Sequence, residues 1–196
     1  MTRKLWTSLA RRPIYDNRWI SITEHDIVAP TGAPGIYGVV HYKNLAIGIL
    51  PIDEEGCTIL IGQERFVFGS YSWELPEGGG PLDQPPLKSA ERELSEEAGL
   101  KADNWLELFG KVQLSNSVSD EEAFGFLAWG LAPDQSHAKD PSEELAVRRV
   151  PYAEVVRMAV SGEILDGLSL AMVLKADHLL RTGALPEALA DLMQRG

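Results

Sequence analysis

The stretch PEGGGPLDQPPLKSAERELSEEAGL, residues 76–100, determines how the rest of the sequence is interpreted. It begins with a glycine-rich segment, continues through two prolines and ends in a run of glutamates. Asp83 or Gln84 is predicted to cap a helix whose first turn holds the prolines, and Gly99 is predicted to end it. Four apolar side chains recur at helical spacing and form its predicted buried face: Leu87, Ala90, Leu94 and Ala98.

The glutamates of this helix, Glu93, Glu96 and Glu97, stand at positions i, i+3 and i+4 and therefore share one face. We expect this face to point outward, away from the apolar one. Like charges at these spacings cost about 0.2–0.5 kcal/mol per pair, and a bound cation offsets that cost. Carboxylate oxygens at this density suit Mg²⁺ or Mn²⁺. A merely solvated acidic face is the alternative, but the neighbouring glycines and Arg92 favour a metal site.

The flanking segments alternate between strand-like and helix-like patterns. Strands are predicted in WISITEHDIV, IYGVVHY, LAIGILPID and CTILIGQERF, forming an antiparallel meander. The stretch VFGSYSWELPEGGG is predicted to begin irregularly and to end in a glycine-rich loop. Later strands are predicted in WLELFGKVQL, EEAFGFLAWGL and LAVRRVPYAEV, with helices from Pro151 onward. This order favours a mixed α/β sandwich over a parallel βαβ fold.

Composition narrows the class of protein. The chain has 196 residues and a formal net charge of −11, without the clustered Lys and Arg that a nucleic-acid-binding face requires. An anionic substrate would need a cation to bridge it to so acidic a chain. The single cysteine, Cys57, lies in an apolar run and is predicted to be a buried structural thiol. No signal peptide or transmembrane run is recognised, so neither membrane nor nucleic acid is a predicted partner, and the predicted location is the cytoplasm.

The residues from Gly78 through Gln84 to RELSEEAGL resemble the Nudix box, G-x5-E-x7-REUxEExGU, in which U is an aliphatic residue. Eight of its nine specified positions agree, and Gln84 stands where the family has Glu. At the start of the helix, the Gln84 amide can still cap backbone N–H groups or hold the loop. SWELPEGG, SNSVSDE and GEILDGLSLAMVL further resemble the ADP-ribose and nucleoside-diphosphate-sugar pyrophosphatase branch, so the resemblance covers about residues 19–174.

This resemblance implies a Nudix-type α/β/α sandwich with a mixed central sheet and an N-terminal β extension. Residues 1–40 would form dimer-forming strands, 41–174 the hydrolase domain and 175–196 a helical tail. The implied activity is Mg²⁺-dependent hydrolysis of a nucleoside-diphosphate sugar, with ADP-ribose giving AMP and ribose 5-phosphate in a homodimeric enzyme. Two alternatives stay open: another Nudix substrate, namely another nucleotide sugar, a dinucleotide polyphosphate or a coenzyme, or a non-catalytic nucleotide-sugar sensor.

The resemblance also assigns metal ligands. Glu93 and Glu97 would be the principal ones, with Glu96 as the third carboxylate, and a backbone carbonyl near Glu77 and Gly78 would complete the site. Glycine has no Cβ atom, so Gly78 and its neighbours would let the loop backbone approach closely.

The same resemblance implies which residues position the glutamates and which serve as the general base. Arg92 would orient the glutamates through a salt bridge, with Glu74 as a further partner. The general base is expected in a loop after the box, where Glu143 and Glu144 are favoured over Glu121 because they end a long polar loop before a strand.

Substrate contacts are expected from several directions. Arg65 occupies the place where this branch has an arginine facing the phosphates. Tyr15 and Trp19 are candidates to stack on the nucleobase, and Glu74 and Glu121 are further candidates to contact the substrate.

Overall fold

The structure is a computed structural model that describes residues 5–137 and 144–196. Within those ranges the chain forms, in order, β1 (Thr7–Asp16), β2 (Ile20–Val28), β3 (Pro34–Tyr42), β4 (Asn44–Ile52), β5 (Cys57–Arg65), β6 (Ser70–Glu74), β7 (Glu77–Pro81), α1 (Pro86–Ala98), β8 (Leu100–Gln113), β9 (Glu122–Pro133), β10 (Ala146–Pro151), α2 (Tyr152–Ser161), α3 (Gly167–Arg181) and α4 (Glu187–Met193).

The strands form three sheets. β1, β2 and β3 make an antiparallel N-terminal sheet, as the predicted β extension requires. The central sheet has the order β7-β4-β9-β8 and is mixed, because β4 runs parallel to β9 while the other pairs are antiparallel. The third sheet has the order β10-β5-β6 and is antiparallel.

The central strand β4 explains the layering. Ile47 and Ile49 pack with Ala90 and Leu94 of α1, whereas Leu50 and Ile52 belong to the larger core on the other side. Successive strand residues point to opposite faces, so β4 is buried by α1 on one side and by the third sheet and the C-terminal helices on the other. The predicted α/β/α sandwich with a mixed central sheet is confirmed.

The predicted meander holds for the antiparallel pair of β2 and β3 and is wrong beyond it. β4 pairs with β7 and β9, because an apolar strand buried on both faces needs neighbours inside the sheet. The predicted glycine-rich loop is likewise wrong, since Gly78, Gly79 and Gly80 lie in β7, where they pair with β4.

The ends of α1 agree only in part with expectation. Gly99 ends the helix in the left-handed conformation, with φ 66°, as predicted. The predicted N-cap is wrong: Pro85 occupies that position, and no side-chain cap hydrogen bond forms there among the described residues. Gln84 lies outside the helix, where its Oε1 accepts a long hydrogen bond of 3.4 Å from Ser89 Oγ.

The C-terminal segment contributes to the main core. α3 continues across residue 174, and the buried side chains of Leu189 and Met193 bring α4 into the larger core cluster. Cys57 is buried, as predicted. In the described ranges, none of the helices combines the length and apolarity needed to cross a membrane.

Candidate active site

The glutamate face of α1 packs against β7. Glu93 and Glu97 are only 7% and 5% exposed, and Glu96 is half-buried. The expectation that this face points outward is therefore wrong for two of the three carboxylates. The reason is that β7, for which the sequence predicted a loop, lies alongside the helix. The Glu77 N–H donates to Glu97 Oε2 at 2.9 Å.

The glycines of β7 permit this approach. A Cβ atom at Gly78 would lie 2.2 Å from Glu93 Cδ, and one at Gly80 would lie 2.6 Å from Ser89 Oγ. Both distances are far below van der Waals contact, so any larger residue would push the strand and the helix apart. The glycines thus set the distance between the backbone of β7 and the carboxylates of α1.

Arg92 connects α1 and β7 through hydrogen bonds. Its guanidinium donates to Glu93 Oε1 at 2.6 Å, to Glu96 Oε2 at 2.5 Å and to the carbonyl oxygen of Gly79 at 2.7 Å. One side chain therefore orients two glutamates and holds the β7 backbone. The expected pairing of Arg92 with Glu74 is wrong, because Glu74 accepts from Arg65 instead.

A second acidic group lies beside the first. Arg65 Nε donates to Glu74 Oε1 at 2.9 Å, and Arg65 Nη2 donates to Glu77 Oε1 at 2.7 Å. Carboxylate oxygens of Glu74, Glu77 and Asp166 lie within 4.8 Å of one another. Burial, and then the charges of Asp166 and Glu74, raise the pKa of Glu77 well above its ordinary value. Its Oε2 atom is buried without a hydrogen-bond partner among the described residues.

A cavity of about 470 Å³ opens over these groups. Gly78, Arg65 and Asp166 contribute to one part of its wall, and Trp19 and Tyr42 contribute aromatic surface from the N-terminal strands. The volume is typical of a small-molecule site. Glu121 also lines the cavity, and burial followed by the charge of Asp166 raises the pKa of its carboxyl group.

The sequence-predicted residues fall into three groups. The structure brings Glu93, Glu96, Glu97, Arg92 and Gly78 together at the junction of α1 and β7. It brings Arg65, Trp19 and Glu121 to the cavity wall, with Glu74 held by Arg65.

The remaining predicted residues lie elsewhere or outside the description. Tyr15 is exposed on β1, where its hydroxyl group accepts from Asn17 Nδ2 at 3.3 Å. Glu144 is exposed just before β10, and Glu143 lies outside the described residues.

Sequence reasoning missed three contributors: the carboxylates of Asp166 and Glu77, and Tyr42. Asp166 had a detectable signal, because an Asp before an apolar helical run is typical of an N-cap. Its Oδ2 accepts from the Ser169 N–H at 2.6 Å. No local pattern placed the Glu77 carboxylate or Tyr42 at the cavity.

The donors at the α1–β7 junction fit a hard divalent cation. Glu93, Glu96 and Glu97 lie on one face of α1 there, and the Gly78 backbone lies against Glu93 with no side chain between them. Oxygen ligands of this kind are those that Mg²⁺ and Mn²⁺ prefer. Bringing several buried acidic groups together is costly unless positive charge compensates them.

Comparison with known proteins agrees with this geometry. Residues 42–166 match the family described as the NUDIX domain, and residues 6–40 match the one described as the nucleoside diphosphate sugar hydrolase N-terminal domain. The ADP-ribose pyrophosphatase of Mycobacterium tuberculosis is 34% identical over 142 residues, covering 70% of this chain and 67% of that protein.

Two further proteins are similar. The CMP-5'-(N-acetyl-N-hydroxy-3-aminopropyl)phosphonate hydrolase of Streptomyces rubellomurinus is 31% identical over 159 residues, covering 80% of this chain and 75% of that protein. A crystal structure described as an ADP compounds hydrolase superposes with a TM-score of 0.82 at 20% identity, covering 94% of this chain and all of the other, and it shows the same fold.

Proposed function

The chain belongs to the NUDIX family, and on that premise we propose that it hydrolyses the diphosphate bond of a nucleoside-diphosphate sugar, with ADP-ribose as the leading substrate. The observation that carries the proposal is the position of the buried glutamates of α1. They lie against a glycine strand that lines a cavity, and aromatic side chains line the same cavity. Such a site offers acidic groups for a cation that binds diphosphate and a flat surface for a base.

The proposed reaction balances as a simple hydrolysis. The oxygen of a water molecule attacks one phosphorus atom, and the bond from that phosphorus to the bridging oxygen breaks. One proton of the water passes to a carboxylate base, and the bridging oxygen leaves with the other phosphate. ADP-ribose would give AMP and ribose 5-phosphate. Glu143 and Glu144 stay the proposed bases, with Glu121 as the alternative that lines the cavity.

We propose that Mg²⁺, or Mn²⁺, is held by Glu93, Glu96 and Glu97 with the backbone carbonyl of Gly78. When bound, the cation screens the charge of the diphosphate and acidifies a water molecule. The protein's own part is to hold these donors in position, and Arg92 contributes by bonding to Glu93, Glu96 and the Gly79 carbonyl. A fixed arrangement of this kind lowers the cost of reaching the transition state.

The substrate contacts are proposed from the cavity wall. Trp19 would stack on the nucleobase, with Tyr42 lining the same cavity. Tyr15 stays a further aromatic candidate, although it is exposed on β1 and does not line this cavity. Arg65 would contact a phosphate, since its guanidinium side chain is 40% exposed even while it pairs with Glu74 and Glu77. Glu74 would hold Arg65 in that position.

A second substrate class is favoured by one comparison. The Streptomyces relative, at 31% identity, is described as acting on a CMP-linked phosphonate. The chemistry is closely related, because a CMP phosphate is also joined through an anhydride oxygen to phosphorus. We therefore treat CMP-linked compounds as the second candidate.

A substrate panel tests the function. ADP-ribose, other nucleotide sugars, a dinucleotide polyphosphate and a CMP-linked phosphonate are incubated with the protein, with and without Mg²⁺, and nucleoside monophosphate release is measured. We expect Mg²⁺-dependent AMP release from ADP-ribose at the highest kcat/KM. Tight binding of a nucleotide sugar without turnover of any compound would contradict the enzyme and support the sensor alternative.

We also propose that the protein is a homodimer formed through the N-terminal sheet. Apolar side chains stand exposed on and near this sheet: Leu5, Trp6, Leu9, Ile14 and Ile36. Several exposed apolar side chains on one sheet favour a protein interface. Sedimentation of the wild-type protein should give the mass of two chains, and Leu9→Arg should shift it toward one.

A further inference from the structure

A second cavity, of about 460 Å³, adjoins the first. One wall of this cavity is the β5–β6 hairpin. Ser70 and Ser72 share a face with Glu74 there, because alternate strand residues point the same way. The other wall is the turn that enters α3, including Leu165 and Asp166. We call this cavity the hairpin cleft.

The hairpin cleft is continuous with the proposed active site. Arg65 and Asp166 line both cavities, so a ligand that lies over these residues reaches from one cavity into the other. There is also room beside the turn, because a Cβ atom built on Gly167 would meet nothing within 4 Å.

The walls of the hairpin cleft define the chemistry of its occupant. Glu74 and Asp166 place acidic groups there, and their charge disfavours a phosphate inside the cleft itself. The serine hydroxyls and the Asp166 carboxylate can accept hydrogen bonds from hydroxyl groups. Phe68 and Leu165 are 81% and 72% exposed and offer apolar surface. A neutral polyol with C–H faces, such as a sugar ring, satisfies all three features.

We propose that the hairpin cleft receives the sugar of the nucleoside-diphosphate sugar and selects among such sugars. The inference rests on the proposed function, because the diphosphate must lie over Gly78 for the sugar to reach past Arg65. The nucleobase then occupies the first cavity, which Trp19 and Tyr42 line. Phe68 and Tyr71, which line the hairpin cleft, are left to contact the C–H face of the sugar.

The experiment compares two substrates that differ only in the sugar: ADP-ribose and the β-methyl ester of ADP. Both contain the same base and the same diphosphate bond. Ser72→Leu places bulk in the cleft, and Ser70→Leu does the same at a more exposed position, so that a folded variant is available. Glu64→Leu, on the opposite face of the same hairpin, is the matched control.

We expect wild-type protein to prefer ADP-ribose, and Ser72→Leu and Ser70→Leu to lower kcat/KM for ADP-ribose roughly tenfold, mainly through KM, while leaving the methyl ester unchanged. Glu64→Leu should alter neither substrate. Equal losses on both substrates, or no loss on either, would overturn the sugar assignment while leaving the proposed hydrolase in place. Failure of the wild-type protein to hydrolyse both compounds with Mg²⁺ would instead contradict the proposed function, and the inference with it.

Discussion

At Gly78 the fold leaves no space for a methyl group, since a Cβ atom would lie 2.2 Å from Glu93 Cδ. Gly78→Ala must therefore displace the glutamate or the strand, and a shift of about 1 Å in a catalytic group can cost roughly 100-fold in rate. We expect kcat for ADP-ribose to fall by that order and Mn²⁺ affinity to fall with it.

The neighbouring glycine provides the control. At Gly79 the nearest atom to a built Cβ is Asn44 Nδ2 at 3.5 Å, an ordinary contact. Gly79→Ala should keep near wild-type kcat and Mn²⁺ affinity. Equal activity in the Gly78 and Gly79 variants would show that the close approach of β7 to Glu93 is unimportant for the reaction.

Glu97 tests the metal assignment directly. Its Oε2 accepts from the Glu77 N–H, and an amide of the same shape can keep that hydrogen bond while losing the charge. We expect Glu97→Gln to fold normally, to lose at least about 100-fold in kcat and to bind Mn²⁺ more weakly. Titration calorimetry with Mn²⁺ and an AMP-release assay measure both effects.

The matched variant is Glu91→Gln on the same helix, where Glu91 pairs with Lys88 at the surface. It should retain activity and Mn²⁺ binding. Near-normal turnover in Glu97→Gln would remove Glu97 from the proposed ligands.

The residues of the candidate site differ in how far sequence predicts them. Glu93, Glu96 and Glu97 share a face because helical geometry fixes the relation between residues three and four apart. Asp166 meets Glu74 only because the tertiary fold brings the start of α3 to the end of β6, where the Leu75 N–H donates to Ser169 Oγ. No local rule relates positions so distant in the chain. The burial of Glu93 could not be predicted either, because it depends on β7, and three consecutive glycines are more typical of a loop than of a strand.

Asp166 shows how one helix end serves the site. The side chain accepts from the Ser169 N–H at the start of α3, and the same carboxylate lies near Glu74 and Glu77. Asn caps helices about as well as Asp, whereas Ala costs about 1 kcal/mol. Both substitutions remove the charge, so their difference isolates the cap. We expect Asp166→Ala to be less stable to urea than Asp166→Asn by about 1 kcal/mol. Equal stabilities would mean that the cap contributes nothing.

The loop before β9 is fastened to the N-terminal sheet. His41 Nδ1 lies 2.6 Å from Asp120 Oδ2, and the Tyr42 N–H donates to Asp120 Oδ1 at 2.9 Å. The backbone adds a bond from the Asp120 N–H to the Val40 carbonyl at 3.2 Å. These contacts hold Glu121, the next residue, at the cavity wall beside Tyr42.

Glu121 makes the stability of the protein depend on pH. Burial, and then the charge of Asp166, raise its pKa above the ordinary value, so its ionisation opposes folding. The protonated carboxyl group of Glu121 is therefore the form that favours folding. This contribution is fully present below the unfolded-state pKa and is lost as pH rises through the folded-state pKa. We expect Glu121→Gln and wild type to melt alike at about pH 4, and the variant to melt higher at about pH 8. A wild type that gains stability relative to the variant over this range would contradict the sign.

Strand existence was predictable where apolar residues alternate, as in β2 and β3, and the glycine stop of α1 followed from one residue. The existence of β7 was not predictable, because glycine has no side chain that could show an alternating pattern, and its strand propensity is low. Its strand conformation is set by pairing with β4. The parallel pairing of β4 with β9 was equally hidden, since partner choice depends on burial of both faces of β4.

Across the whole molecule, the core extends beyond the segment that matches the NUDIX family. That match ends at residue 166, yet buried side chains of α3 and α4 share one cluster with β4 and β5. The predicted division at residue 174 remains a prediction, and α3 continues across that point without interruption. The packing suggests that the last helix stabilises the same unit that carries the candidate site.

Leu189 of α4 allows this to be measured. Its side chain is fully buried in the larger core cluster, and replacing a buried Leu by Ala costs about 2–5 kcal/mol through lost burial and a residual cavity. We expect Leu189→Ala to lower the free energy of unfolding by that amount in a single urea transition. Leu82→Ala, at a side chain that is 62% exposed, is the control and should change it by less than about 0.5 kcal/mol. If α4 were a separate appendage, Leu189→Ala would leave the main transition unchanged, whereas a shift of the whole transition would show that the last helix and the candidate site unfold together.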